Sequence, residues 1–258
     1  EANGQRLFVA TRDPNPAENE VYLDFADPGG SRAALRQTDV LFLLRPPQLA
    51  DTDRYFKPLV RLAEEENVAH VVFLSVQGAE KNPVIPHAQI EKLLADSRMG
   101  YTFIRPSYFM QNLATTLLDE LKTRDRIFLP AGHAPFLWVD VEDIGKAIAA
   151  VLQDPRKHAG RAYTITGDEL HNFYSVTEML SEELDRPIRY ESPSPFRFFA
   201  EKKQEGTDTG YILVMIMLHY LPRFQKHPKS SAAFRELTGE RPGTLRQYIA
   251  RNRQLWLR

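Results

Sequence analysis

Residues 70–105 read HVVFLSVQGAEKNPVIPHAQIEKLLADSRMGYTFIR, and their pattern decides the fold. An almost continuously apolar run, His70 to Leu74, is followed by a polar turn, a helical stretch opened by Pro86, and a second apolar run, Tyr101 to Arg105. Strands that read as unbroken apolar runs are covered by helices on both faces, which is the condition of a parallel sheet built from strand-helix-strand units. The same alternation extends in both directions. Arg6 to Ala10 (RLFVA), Glu20 to Asp24 (EVYLD), Val40 to Leu44 (VLFLL) and Arg161 to Ile165 (RAYTI) are further candidate strands. Asp51 or Thr52 starts the helix RYFKPLVRLAEEE, and Asp140 starts VEDIGKAIAAVL, whose Val141, Ile144, Ala147, Ile148 and Val151 make one buried face. The expected fold is α/β, a Rossmann-like doubly wound parallel sheet. After Gly167 the pattern changes to one helix (Ser175 to Leu184), a short strand (Ile188 to Tyr190), a proline-rich turn and then helices without further strands. The expected organisation is a dinucleotide-binding domain over 1–167 and a smaller, mainly helical lobe over 168–258 that meets the substrate.

Composition narrows the function. The 258 residues carry 33 Lys+Arg against 34 Asp+Glu, so no basic excess recommends nucleic acid or an anionic membrane as partner. The absence of cysteine excludes disulfides, thiolate metal sites and cysteine nucleophiles, and suits a reducing, cytoplasmic setting. Seven histidines never fall at a metal-binding spacing, so no metal is expected. The apolar run Tyr211 to Leu218 (YILVMIML) is too short to span a bilayer and is expected to be a buried helix or the wall of a pocket. The basic residues around Arg223, Lys226, His227 and Lys229 read as a solvated loop.

Ligands of an open parallel sheet bind beyond the carboxyl ends of its strands, so the residues after each strand are the candidates. Arg12 follows the first apolar run, where a guanidinium can pair with the 2′-phosphate of NADP; an ordinary solvated arginine is the alternative, and Asp13 beside it can itself approach a ribose. Asp24 and Phe25 suit an adenine, or else a turn before a helix, since Pro28, Gly29 and Gly30 follow. Leu43, Leu44 and Arg45 end a strand stopped by Pro46 and Pro47. Ser75 and Val76 put a hydroxyl where a carboxamide or substrate carbonyl can lie; Phe73 rules out a G-x-S-x-G nucleophile elbow. His87 can shuttle protons and Lys92 can hold ribose hydroxyls, although both positions also suit a plain helix surface. Pro106, Tyr108, Phe109 and Met110 offer the apolar walls that a nicotinamide and a flat substrate need, and equally suit a core.

Taken in order, VATRDP, LDFADP, VLFLLRPP, HVVFLSVQGA, PHAQIEKLL, YTFIRPSYFMQNL, FLWVDVEDIGKAIAAVL, GRAYTITG and FRELTGERPGTLRQYIARN resemble the NmrA-like, atypical branch of the short-chain dehydrogenases/reductases. That branch includes NADPH-dependent quinone, azo-dye and triphenylmethane reductases beside non-catalytic redox sensors. The resemblance implies NADP as cofactor, with Arg12 at its adenosine end, Asp24 and Phe25 at the adenine, Leu43 to Arg45 along its middle, and Ser75, Val76 and Pro106 to Phe109 around the nicotinamide and substrate. It implies an oxidoreductase acting on a small, flat, electron-poor acceptor, or a regulator that senses NADP redox state for a protein partner, in either case as a monomer or a homodimer. Two departures stand out. The Tyr-x-x-x-Lys pair of typical members is reduced to Ala88 and Lys92, with His87 alongside, which leaves Lys92, His87 and Ser75 as the candidate catalytic side chains. The family's opening strand and glycine-rich loop are absent; Glu1 to Gly4 resemble the end of the helix that follows that loop, so about 20 to 30 residues are expected to precede Glu1.

Overall fold

The structure is a computed structural model that describes residues 6–257. Its strands and α-helices run β1 (Val9–Thr11), β2 (Glu20–Tyr22), α1 (Arg32–Arg36), β3 (Val40–Leu44), α2 (Thr52–Glu65), β4 (His70–Leu74), α3 (Pro86–Ala95), β5 (Gly100–Pro106), β6 (Tyr108–Phe109), α4 (Leu118–Thr123), β7 (Arg126–Phe128), β8 (Phe136–Val139), α5 (Val141–Gln153), β9 (Arg161–Ile165), β10 (Leu170–His171), α6 (Phe173–Leu184), β11 (Arg189–Glu191), α7 (Pro195–Gln204), α8 (Thr209–Tyr220), α9 (Ala233–Thr238) and α10 (Leu245–Arg251). The expected α/β architecture with parallel strands is present. The chain divides into two compact units that are not consecutive halves: the first takes residues up to Pro106 with Gly145–Ile165 and Glu236–Thr238, and the second takes Ser107–Ile144, Thr166–Arg235 and Gly239–Arg258. Residues Ser107–Ile144 group with the C-terminal residues rather than with the strands before them.

In the first unit β3, β4, β5 and β9 form a parallel sheet in the order β3-β4-β5-β9, and β1 and β2 form a separate parallel pair. Helix α2 starts where the Asp51 carboxylate accepts the Arg54 amide at 3.0 Å, satisfying one of the orphan donors of the first turn. Its Phe56, Leu59 and Ala63 pack with Leu43 and Phe73 of the sheet and with Ile90 and Leu94 of α3, and full burial of each large side chain contributes about 1.5–3 kcal/mol. Strand β3 is covered unevenly. Leu43 is buried, whereas Phe42 and Leu44, which point to the other face, are 41% and 52% exposed. Strand β1 begins at Val9 rather than Arg6. The reading of Glu1 to Gly4 as a helix end lies outside the described residues.

In the second unit the sequence reading passed over β6, β7, β8 and β10: β8 pairs with β6 in parallel and with β10 antiparallel, and β7 pairs in parallel with β11, the short strand expected over Ile188 to Tyr190. Trp138, Phe173, Phe198, Leu121 and Trp256 sit at the centre of its apolar core. Helix α6 begins at Phe173, two residues before the expected Ser175, because the Asn172 side chain caps it by accepting the Ser175 amide. Helix α8 answers the second of its two expected roles: Tyr211, Ile212 and Met215 line a pocket with Leu117, Phe128 and Phe198, but the helix is not buried as a whole. Only Ile212, Met215 and His219 are buried, and most of its other apolar side chains face solvent. Among the described residues no helix is long and apolar enough to cross a membrane.

Candidate functional site

The carboxyl ends of β3, β4 and β5 and the start of α3 bring together Arg45, Ser75, His87, Glu91 and Arg105, all in the first unit. Strand β4 is apolar from Val71 to Leu74 and extends its ladder by one bond beyond Leu74, from the Ser75 amide to the Ile104 carbonyl at 2.8 Å. This holds the Ser75 side chain inside. Its hydroxyl is 2% exposed for the residue as a whole and donates to Glu91 Oε1 at 2.5 Å. Arg105 clamps the same carboxylate with both arms of its fork, Nε to Oε1 at 2.9 Å and Nη2 to Oε2 at 2.5 Å, and its Nη1 lies 3.1 Å from Glu80. Arg105 stands two residues beyond Phe103 on the strand face against which α3 packs, and Glu91 lies beside Ile90 on that helix, so helix and strand are joined through a buried bidentate ion pair. The hydrogen bonds that Arg105 donates to Glu91 raise its pKa despite its burial.

His87 occupies the first turn of α3, where Pro86 supplies the pre-set backbone of the first helical position. Its ring stacks on Phe73 at 6.1 Å, and its Nε2 accepts from Arg45 Nε at 3.4 Å. Burial, with the Arg45 charge second, pulls the His87 pKa down to about 4. The imidazole is therefore neutral at physiological pH, with its proton on Nδ1. Arg45 also donates to the loop after β3: Nη1 reaches the carbonyls of Pro46, Pro47 and Leu49 at 3.0, 3.0 and 3.2 Å. Two successive prolines remove the amides that would otherwise shape this turn, and the guanidinium takes over that work.

The remaining sequence candidates fall as follows. Arg12 is exposed just beyond β1 and makes no ion pair or hydrogen bond through its side chain among the described residues, while Asp13 is folded back onto its own turn, accepting the Asn15 amide at 2.9 Å. Asp24 uses one carboxylate oxygen on the Ala26 amide at 2.9 Å, and its main chain is tied to the buried Ser31. Phe25 rests half-buried against Phe56 at 5.0 Å. Leu43 is core and Leu44 is exposed. Val76 is half-buried, and Pro106 is buried at the end of β5. Lys92 points outward, 76% exposed, and pairs with Asp96 at 2.7 Å, so its ammonium does not join the Ser75–Glu91–Arg105 group.

In the second unit Tyr108 and Phe109 form β6. The Tyr108 hydroxyl donates to His219 Nε2 at 2.9 Å, and His219 Nδ1 donates to the Met215 carbonyl at 2.7 Å. Burial drives Tyr108 up and His219 down to about 4, so both are neutral. Ser107 next to them has a buried Oγ without a hydrogen-bond partner, an arrangement that costs about 1–3 kcal/mol until something binds it. Sequence reading took in Ser107 only as part of the stretch Pro106 to Phe109 and did not single out His219. The small hydroxyl in R-P-S-Y-F at a strand end was the available signal for Ser107; nothing in the sequence linked His219 to Tyr108, 111 residues away. Elsewhere in this unit Glu120, Glu201 and Glu205 bring carboxylate oxygens within 4.8 Å of one another. Arg126 and Lys202 bind Glu120 at 2.7 and 2.6 Å, Arg126 also binds Glu201, and Arg124 holds Glu205 at 2.6 Å. Their negative charge is thus met by guanidinium and ammonium groups of the chain itself.

Comparison with known proteins places this arrangement. A sequence profile of the NmrA-like family matches residues 21–216. The chain is 26% identical over 225 residues to prestalk A differentiation protein A of Dictyostelium discoideum, covering 87% of this chain and 73% of that protein. It is 27% identical over 171 residues to the NAD(P)H azoreductase of Xenophilus azovorans, covering 65% of this chain and 59% of that one. Among solved structures, the NADPH-dependent quinone oxidoreductase of Escherichia coli complexed with NADPH superposes with a TM-score of 0.79 at 20% identity, over 90% of this chain and 83% of the other.

Proposed function

The chain belongs to the NmrA-like family, and on that premise we propose that it binds a nicotinamide dinucleotide, NADPH in preference to NADH, and reduces a flat, electron-poor acceptor such as a quinone. The observation that carries the cofactor preference is Arg12: a guanidinium at the carboxyl end of β1, exposed and without an intramolecular partner among the described residues, suits the 2′-phosphate that distinguishes NADPH. The residues fit the adenosine end further, since Asp24 keeps a second carboxylate oxygen for an adenine amino group and Phe25 offers a ring face. No glycine-rich strand-to-helix turn is among the described residues, so no pyrophosphate contact is assigned. When bound, the dinucleotide supplies the hydride.

The protein's share is then orientation and electrostatics. Glu91 and Arg105 lock the end of β4 to α3, which fixes the Ser75–Val76 backbone and the position of His87. His87 stays uncharged, so the group neighbouring Arg45 accepts hydrogen bonds at Nε2 and donates at Nδ1 without adding a second cation. Ala88 in place of the usual tyrosine removes the phenolic proton donor of typical relatives. A quinol oxygen can take its proton from water, and so this class of acceptor tolerates the loss. In the second unit we assign Ser107, with its unpartnered hydroxyl, a ligand contact ahead of Tyr108, whose hydroxyl is engaged with His219.

The test is turnover: NADPH consumption by the full-length protein on addition of a simple benzoquinone. Quinone-dependent oxidation supports the reductase. Tight NADPH binding with no oxidation by quinones or azo dyes rejects it in favour of a redox-sensing regulator.

A further inference from the structure

Helix α8 is apolar on every side along YILVMIML, yet only one side is covered. Ile212, Met215 and His219 are buried, whereas Tyr211, Leu213, Val214, Met217, Leu218 and Leu221 are 41–54% exposed. At about 100° per residue these six fall within one arc of roughly 160°, a continuous stripe along the helix. Phe224, just past the helix, extends the stripe at 71% exposure. A helix that is hydrophobic all round belongs against something on both sides, and exposed contiguous apolar patches of this kind mark interaction surfaces.

We propose that the exposed face of α8 is the contact between two copies of this chain, packed as an antiparallel helix pair across a twofold axis. Three observations select this occupant. The first is area: seven side chains of about 200 Å² each, roughly half exposed, offer on the order of 700 Å², close to the ~800 Å² that each partner contributes to a standard interface. The second is charge. The stripe is bounded by an acid at its start, Asp208, and by bases after its end, Arg223, Lys226 and Lys229. The Asp208 carboxylate caps α8 by accepting the Tyr211 amide at 3.0 Å and remains exposed, and Arg223 is exposed over the ring of Tyr220. A parallel pair would set acid against acid and base against base; an antiparallel pair sets each acid end against a basic end. The third is register. With the axis between Met215 and Ile216, Leu213 faces the partner subunit's Leu218, Val214 faces the partner subunit's Met217, and Asp208 falls opposite the partner subunit's Arg223. One register thus satisfies the apolar stripe and both charged ends, as a self-complementary twofold contact requires.

Sedimentation equilibrium of the full-length protein tests this. The protein is expected to be a dimer, and Leu218→Glu, a change at a half-exposed position, is expected to raise the dissociation constant at least ~100-fold, with Arg223→Asp raising it about 10-fold. Should Leu218→Glu disturb folding, the lack of cysteine allows a second readout. A Leu213→Cys protein and a size-tagged Leu218→Cys protein, mixed and oxidised, are expected to form the mixed disulfide in preference to either like pair. A protein that stays monomeric up to about 100 µM, a dimer indifferent to Leu218→Glu, or equal cross-linking of like and unlike pairs overturns the proposal. A monomer that floats with phosphatidylcholine vesicles also overturns it, by giving the face to lipid.

Discussion

Replacing Glu91 by Ala removes the one carboxylate on which Ser75 and both arms of the Arg105 fork converge. Glu91 and Arg105 side chains are 8% and 14% exposed, so the arginine left behind is a largely buried charge, and breaking one side of such a pair costs about 3–5 kcal/mol. Glu80 at 3.1 Å, itself 41% exposed, retains part of the pairing, which places the expected loss toward the lower end, about 3 kcal/mol. For a chain of this length that is a fall in Tm of roughly 6–12 °C, measured by urea unfolding and by calorimetry. Glu91→Gln preserves the acceptor oxygen and is expected to lose about half as much. Removing both charges together, as Glu91→Leu with Arg105→Met, is expected to recover most of the loss, since an apolar pair avoids the desolvation of two ions. A loss under about 0.5 kcal/mol for Glu91→Ala would refute the assignment of this pair as the joint between α3 and the sheet.

Arg12→Ala is expected to raise the dissociation constant for NADPH by about 10- to 100-fold and to leave NADH within about twofold, read by nucleotide fluorescence; equal losses would remove Arg12 from the 2′-phosphate. Because the folded His219 pKa is depressed to about 4 from an ordinary value near 6.5, the unfolded chain binds the extra proton first, so the stability from a neutral His219 is complete above pH 6.5 and is lost as pH falls toward 4. His219→Gln should flatten that stretch of the stability curve by up to about 1.4 kcal/mol per pH unit, and an unchanged slope would place the titration elsewhere. For Glu120, burial pushes the carboxyl up, but the hydrogen bonds and charges of Arg126 and Lys202 pull it further down, so its contribution is present above the ordinary carboxylate range and disappears as pH drops below it. Glu120→Gln should lower stability at pH 7 by about 2 kcal/mol and have no effect at pH 2, by denaturant titration at the two pH values.

How far the sequence alone reached depended on what each signal measures. Val40–Leu44, His70–Leu74 and Arg161–Ile165 were read with their observed bounds: the first two are nearly unbroken apolar runs, although only His70–Leu74 is buried along most of its length, and the third stands between turn residues. Tyr108–Phe109 and Arg126–Phe128 are two and three residues long, too short for periodicity to register, and their partners lie up to 63 residues away. The run YILVMIML shows why hydrophobicity is not burial: a helix apolar on all sides carries no periodic signal to say which side is covered. Among the candidate site residues, Arg12 stands just after a strand, as the sequence placed it. The Glu91–Arg105 clamp and the Arg45 bond to His87 were not legible, since each joins residues 14 and 42 apart through the packing of a helix on a sheet.

The most direct measurement of the central claim is a titration of the full-length protein with NADPH and, separately, NADH, followed by nucleotide fluorescence. The account predicts saturable binding of both with NADPH at least about tenfold tighter, the share a single charge-assisted contact to the 2′-phosphate supplies. Binding of neither nucleotide, or equal affinity for the two, would contradict it.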